Sequence, residues 1–182
     1  VPQYTAGWDW IQPVRDRNTG IWDKVTIERT GAVRIKDPHI ITKVPGARKP
    51  EGPQAPATLL VSAELENATA TAVTGTLKYA FKGGTAAKKV TLAQHSTALV
   101  QLPELEVKAP ALWWPTGSGP QHLHQLHLQF VNNGRIYDTE DSEFGIREIQ
   151  TYWNAHTGSR EVAVNGQKIF ITNGMMCDLI VL

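Results

Sequence analysis

The chain has 182 residues, a hydrophobic fraction of 41%, and 18 Lys and Arg against 17 Asp and Glu. That is enough for one domain and part of another, while a formal charge of +1 offers no footprint for nucleic acid or for an acidic membrane surface as partner. No apolar run approaches the roughly 18 residues that span a bilayer, and with Cys177 as the single cysteine an intramolecular disulfide and thiol-rich zinc sites are excluded.

The first distinctive stretch is "YTAGWDWIQPVRDRNTGIW", Tyr4 to Trp22, which holds three of the six tryptophans. Its Gly and Pro content rules out a helix. Trp8 and Trp10 flank Asp9. Indole rings bury on the order of 200 Å² each and also form flat platforms for sugar faces, and a carboxylate between them is costly to bury unless hydrogen-bonded. Two readings stand: a sugar site with Trp8, Asp9 and Trp10 as substrate contacts, or two tryptophans packed inward with Asp9 capping a turn. A strand is expected over "IWDKVTIER", stopping at Thr30-Gly31.

Period-two alternation then takes over. In "TLLVSAELEN", Leu59, Val61, Ala63 and Leu65 share one face, with Ser62, Glu64 and Glu66 on the other. Val73, Leu77, Tyr79 and Phe81 repeat the pattern, as do Leu126, Leu128 and Phe130. No long segment shows helical periodicity. Asn133-Gly134 and Asn165-Gly166 are hairpin signals, because both turn positions need positive φ, and Gly83-Gly84 is read as a third. About seven strands fit between Val33 and Gln150, near the number in an immunoglobulin-like sandwich. The expected fold is all-β: an immunoglobulin-like β-sandwich flanked by fragments of neighbouring domains. "VPGARKPEGPQAP", with four prolines, is expected to be an exposed, solvated connector between the first two strands.

Further along, Trp113 and Trp114 precede a loop of Pro115, Gly117, Gly119 and Pro120. Adjacent strand residues face opposite ways, so one tryptophan is expected to fill the core and the other to pack against a neighbouring domain. His122 and His124 have the i, i+2 spacing of two metal ligands on one strand face, with no third ligand evident. Asp141, Glu143, Glu148 and Glu161 are scattered, and no hydrolytic pair emerges from them. Nucleotide-binding, serine-nucleophile and zinc-protease motifs are absent from the sequence. The residues alone lead to a β-sandwich module of a larger, carbohydrate-related protein.

Taken in order, "GWDW", "NTGIWDKVTIE", "LWWPTGSGPQHL", "FGIREIQ" and "VNGQKIFITNG" resemble the family 2 glycoside hydrolases, from Gly7 to Gly174. Within that family, "GWDW", "RDRNTGIW" and "TGAVRIKDPHI" look most like the β-mannosidase, endo-β-mannosidase and exo-β-glucosaminidase branch, and less like β-galactosidases or β-glucuronidases. The resemblance implies an excised piece of a longer enzyme. Residues 1–31 would be the tail of a jelly-roll sugar-binding domain, 32–150 the sandwich, and 151–182 a linker, hairpin and first strand of a (β/α)8 catalytic barrel. Trp8, Asp9 and Trp10 would then lie on a loop reaching over the barrel mouth, with Asp9 accepting from sugar hydroxyls. Retaining hydrolysis would use two glutamates about 5 Å apart, both beyond Leu182, so no catalytic residue is assigned and this chain alone is expected to be inactive.

Arg147 would hold the sandwich against the barrel. The chain departs from the family at "NGMMCD", where Met175 and Met176 stand in place of a glycine-rich turn and a Trp. No cofactor or metal is called for. The expected partner is a carbohydrate met through the parent's barrel, and the unpaired strand edges of the flanking segments offer dimerisation with a second copy. A periplasmic or secreted place is favoured for a bacterial parent. The alternatives are a carbohydrate-binding or domain-orienting scaffold module, β-galactosidase-type specificity, and a cell-surface adhesion domain.

Overall fold

The computed structural model describes Ile21, residues 25–156 and residues 158–168. Among them there is no helix, and eleven strands are formed. β1 (Val33–Lys43), β2 (Ala57–Asn67), β5 (Ser96–Gln101) and the three-residue β6 (Leu105–Val107) make one antiparallel sheet, in which β5 and β6 pair with successive parts of β2. β3 (Val73–Phe81), β4 (Gly84–Leu92), β7 (His124–Asn132) and β8 (Arg135–Phe144) make the other, in the order β4-β3-β7-β8. The chain crosses between sheets after β2, β4 and β6, the Greek-key connectivity of an immunoglobulin-like sandwich. Eight strands thus lie between Val33 and Phe144. About seven were expected; β6, with three residues, is too short to show a period.

The alternating residues form the core. On β2, Leu59, Val61, Ala63 and Leu65 are fully buried, and they meet Leu77 and Tyr79 of β3 and Leu126, Leu128 and Phe130 of β7. The face of each strand is set by register, because a one-residue slip would turn every apolar side chain to water. β1 makes such a slip on purpose. Between Lys36 and His39 its pairing with β2 shifts by one residue, at Asp37 with φ 46°. Val33 and Ile35 point inward before this bulge, and Ile40 packs inward after it, leaving Ile41 44% exposed. Pro38 is tolerated there because β1 is an edge strand.

Three sequence expectations need correction. The first concerns "IWDKVTIER": its described residues form no strand, and Val25 and Ile27 are 74% and 97% exposed. A strand needs a ladder partner, and none of the described strands pairs with them. The chain joins the sandwich at Gly31, whose N–H donates to Tyr137 O at 2.6 Å. The second is the β3–β4 turn, which is Lys82-Gly83; Gly84 already pairs with Phe81.

The third is narrower: the proline-rich loop joins β1 to β2 and is exposed at nine of its thirteen residues, as expected, but it is tied down at two points. Val44 is 1% exposed and Arg48 6%. The Arg48 guanidinium donates to Pro45 O, Ala55 O and Pro56 O at 2.9, 2.6 and 2.9 Å. Prolines cannot donate to a ladder, so the loop's carbonyls converge on one cation instead.

β9 (Ile149–Asn154), β10 (Ser159–Val164) and β11 (Gln167–Lys168) form a third, small antiparallel sheet. The β10–β11 turn is Asn165-Gly166, with φ 52° and 73°, and the β7–β8 turn is Asn133-Gly134, with φ 48° and 76°. Both hairpins are where the dipeptides place them. β9 runs through residue 150, where the sandwich border was set from the sequence.

Candidate functional site

The segment Leu112–Gln121 closes one end of the sandwich. Leu112 bridges Ile146 in parallel, Trp113 bridges Gln121, and Trp113 N–H donates to Ile146 O at 2.9 Å. This pairing sends the adjacent indoles opposite ways. Trp114 is 1% exposed in the core, while Trp113 is half-buried at the surface. Gly145 makes the approach possible: a Cβ there would lie 2.7 Å from that of Trp113. Two residues later the Arg147 guanidinium sits 4.1 Å from the centroid of the Trp113 ring, a cation–π stack.

Beside this stack runs an open groove of about 730 Å³, walled by Ile41, Trp113, Leu123, Phe144, Arg147 and Ile149. Ile41, Leu123 and Ile149 are 44%, 54% and 51% exposed, and Lys43, Glu143 and Glu148 also line it. Apolar walls with a few charges suit contact with another surface. One face of Trp113 is already occupied by Arg147, so that face is not an open sugar platform.

The carboxylates of the region hold structure. Glu148 Oε2 accepts from Val44 N–H at 2.6 Å, and Glu148 Oε1 accepts from the Gln150 amide at 2.9 Å. Asp138 Oδ2 accepts from Ile35 N–H at 2.7 Å, tying β8 to β1 across the sandwich edge. Glu143 accepts from Gln125 at 2.7 Å, and Asp141 pairs with His127 on the outer face of β7 and β8. Glu140 has its pKa raised by burial first, then by Glu28, Asp138 and Asp141, against a lowering by Arg34.

Glu161 differs from these. It is 3% exposed and receives the Tyr152 hydroxyl at 2.8 Å, the Asn154 amide at 2.9 Å and the Lys168 ammonium. The hydrogen bond donated to Glu161 raises the Tyr152 pKa, with desolvation and the Glu161 charge adding to it. Tyr152 lies directly opposite Glu161 on β9, and Lys168 pairs with Ala163 on the same face of the sheet. Sequence reading missed this cluster, although counting register outward from Asn165-Gly166 pairs Lys168 with Ala163 and so puts it on the same face as Glu161, one diagonal step away.

Of the pair His122 and His124, the second is engaged within the sandwich. His124 Nε2 bonds Ala111 O at 2.9 Å, and its ring lies 5.5 Å from that of Phe144; among the described residues no three His, Cys, Asp or Glu gather as ligands. Trp8, Asp9, Trp10, Met175 and Met176 lie outside the described residues.

Residues 33–147, from the first strand of the sandwich to the arginine on Trp113, match the family model of the glycosyl hydrolases family 2. The chain belongs to that family. It is 34% identical over 178 residues to an exo-β-D-glucosaminidase of Streptomyces avermitilis, covering 93% of this chain and 19% of the relative. A mannosylglycoprotein endo-β-mannosidase of Lilium longiflorum is 33% identical over 185 residues, covering 94% and 19%.

Among solved structures, the exo-chitosanase CsxA of Amycolatopsis orientalis superposes with a TM-score of 0.69 at 32% identity, over 78% of this chain and 16% of that one. The β-D-mannosidase of Dictyoglomus thermophilum, at 23% identity, shares the fold with a TM-score of 0.63 over 92% of this chain. This family 2 chain therefore spans about a fifth of the length of the curated relatives it matches. The family resemblance read from the sequence blocks and the all-β sandwich are both as expected.

Proposed function

We propose that this chain is the non-catalytic sandwich region of a retaining family 2 glycosidase that cleaves β-glucosaminidic or β-mannosidic bonds, and that its task is to orient the parts on either side. The observation that carries this reading is the extent of the likeness. The family model ends at residue 147, yet identity to the exo-β-D-glucosaminidase runs over 93% of the chain, so the flanking segments are shared as well. In keeping with an orienting role, the carboxylates described above bond backbone groups, amides or neighbouring ions, and the Trp113–Arg147 groove presents walls suited to protein contact.

In this reading residues 1–31 belong to a jelly roll and 151–182 lead into a (β/α)8 barrel. The two glutamates of retaining chemistry, one acid/base and one nucleophile, lie beyond Leu182. Asp9, between Trp8 and Trp10, accepts hydrogen bonds from the sugar across the domain boundary.

The test compares hydrolysis of an aryl β-glucosaminide and an aryl β-mannoside by this chain and by a protein of the relatives' length. The expected result is turnover by the longer protein alone, with Asp9→Ala lowering kcat/KM at least tenfold while the fold is kept, the scale of one lost charged hydrogen bond. Turnover by this chain alone would overturn the placement of catalysis. Full activity of Asp9→Ala would make the tryptophan block architecture.

A further inference from the structure

Asn165 is an ordinary residue for a two-residue hairpin turn, but a hairpin needs it only for its positive φ. Here it is fully buried, and every polar group it owns is bonded to a distant segment. Its N–H donates to Glu148 O at 2.8 Å, and its Oδ1 accepts from Glu148 N–H at 3.0 Å. Side chain and backbone together thus imitate one rung of an antiparallel ladder. Nδ2 donates to Trp113 O at 3.0 Å, and the Asn165 carbonyl accepts from Arg48 N–H at 2.9 Å.

Gly166 completes the fit. A Cβ there would lie 2.5 Å from Gly46 O and 2.7 Å from Ala47 Cα, so the turn is seated against the proline-rich loop, and Gln167 adds a bond from its amide to Arg48 O. The three segments so gripped are anchored in the sandwich themselves. Trp113 is held by Ile146, Val44 by Glu148, Arg48 by three carbonyls, and Thr42 Oγ1 bonds both the N–H and the carbonyl of Arg147.

From this geometry we infer that Asn165 is a positioning residue: it locks the β9–β11 sheet in one orientation on the sandwich. Only residues 145–148 connect β8 to β9, and a joint made by so short a connector alone would leave the sheet free to rock, the default for units joined by small interfaces. Rocking here strands the carbonyl of Trp113 and the amide of Arg48 together, each a polar group without a partner, while the Glu148 bonds continue the β9–β10 ladder.

The consequence for activity rests on the functional reading above. If the sugar site is assembled from a loop before the sandwich and carboxylates after it, this joint sets their separation, where a displacement of about 1 Å is costly.

Asn165→Gly tests the lock, because it keeps the positive φ and the backbone bonds and removes only Oδ1 and Nδ2. In amide hydrogen exchange on this chain, the amides of Arg48, Glu148 and Asn165 are expected to exchange about tenfold faster or more, while amides of β2 and β7 keep their protection. Unchanged exchange at those three amides overturns the lock.

In a protein of the relatives' length, the same variant is expected to lower kcat/KM for an aryl β-glucosaminide or β-mannoside about tenfold when rates are normalised to folded protein, because a misplaced group costs rate. Unchanged kcat/KM per folded molecule overturns the positioning role. If the unaltered long protein hydrolyses neither substrate, the functional reading falls, and the exchange measurement still decides the lock.

Discussion

The sandwich interior and the joint beneath the β9–β11 sheet are held by different physics. Between the sheets, Leu59, Leu65, Leu77, Leu126 and Phe130 are wholly buried, and the stabilisation is non-directional removal of apolar area from water. At the joint the contacts are directional and polar: Arg48 on three carbonyls, Glu148 on Val44 N–H, and Asn165 on Glu148 and Trp113. The first kind of contact tolerates exchange of one aliphatic for another of similar volume. The second tolerates none, because each donor has one acceptor at one distance.

The two adjacent tryptophans give the sharpest division. Trp114→Ala removes a fully buried core side chain and is expected to cost about 3–5 kcal/mol. Trp113→Ala, half-buried and stacked on Arg147, is expected to cost about 1 kcal/mol. Urea midpoints at constant slope measure both, and equal losses would mean that the surface indole belongs to the core after all.

The joint is probed next by Arg48→Ala, expected to lose about 2–3 kcal/mol by leaving Pro45 O, Ala55 O and Pro56 O without their donor. If the loop were a solvated connector the loss would be within about 0.5 kcal/mol. Unfolding midpoints decide between these outcomes, and tryptophan fluorescence follows whether the Trp113 environment loosens with the loop.

Tyr79 brings the two kinds of contact into one residue. Its ring is core, 2% exposed, but its hydroxyl is buried with no hydrogen-bond partner among the described residues, and burial raises its pKa. Tyr79→Phe is therefore expected to stabilise the chain by about 1 kcal/mol, the cost of an unsatisfied buried hydroxyl. A loss of stability on thermal or urea unfolding would show that the hydroxyl has a partner.

The smallest effect is electrostatic. Glu140 titrates higher in the folded chain than in the unfolded one, from burial first and then from Glu28, Asp138 and Asp141. A carboxyl with a raised folded pKa binds its proton more firmly when folded. Its favourable contribution is present below the ordinary glutamate range and is lost as the pH rises through the raised value. Glu140→Gln is expected to be neutral in acid and to gain up to about 0.5 kcal/mol at neutral pH, a modest sum because the group is partly exposed and screened. Stability curves of the two proteins that run parallel from acid to neutral pH would contradict the assignment.

What the sequence determined alone was everything that depends on neighbours in the chain. Alternation in β2, β3 and β7 assigns the faces that form the core, and the Asn-Gly turns at 133–134 and 165–166 place two hairpins, because period and positive φ are local properties. The family blocks are equally local, and the model match over 33–147 agrees with them.

Tertiary structure decided which turn residue is also a joint, which loop is packed, and which tryptophan faces out. Asn165 and Asn133 look alike in sequence as the first residue of an Asn-Gly turn. Only the first is buried, because partners 17 and 52 residues away arrive at its amide. The bulge at Asp37, the collapse of the proline-rich loop on Arg48, and the buried Glu161 between Tyr152 and Lys168 have the same origin. A polar group's partner is fixed by where distant segments meet, and no periodicity in one segment records the position of another.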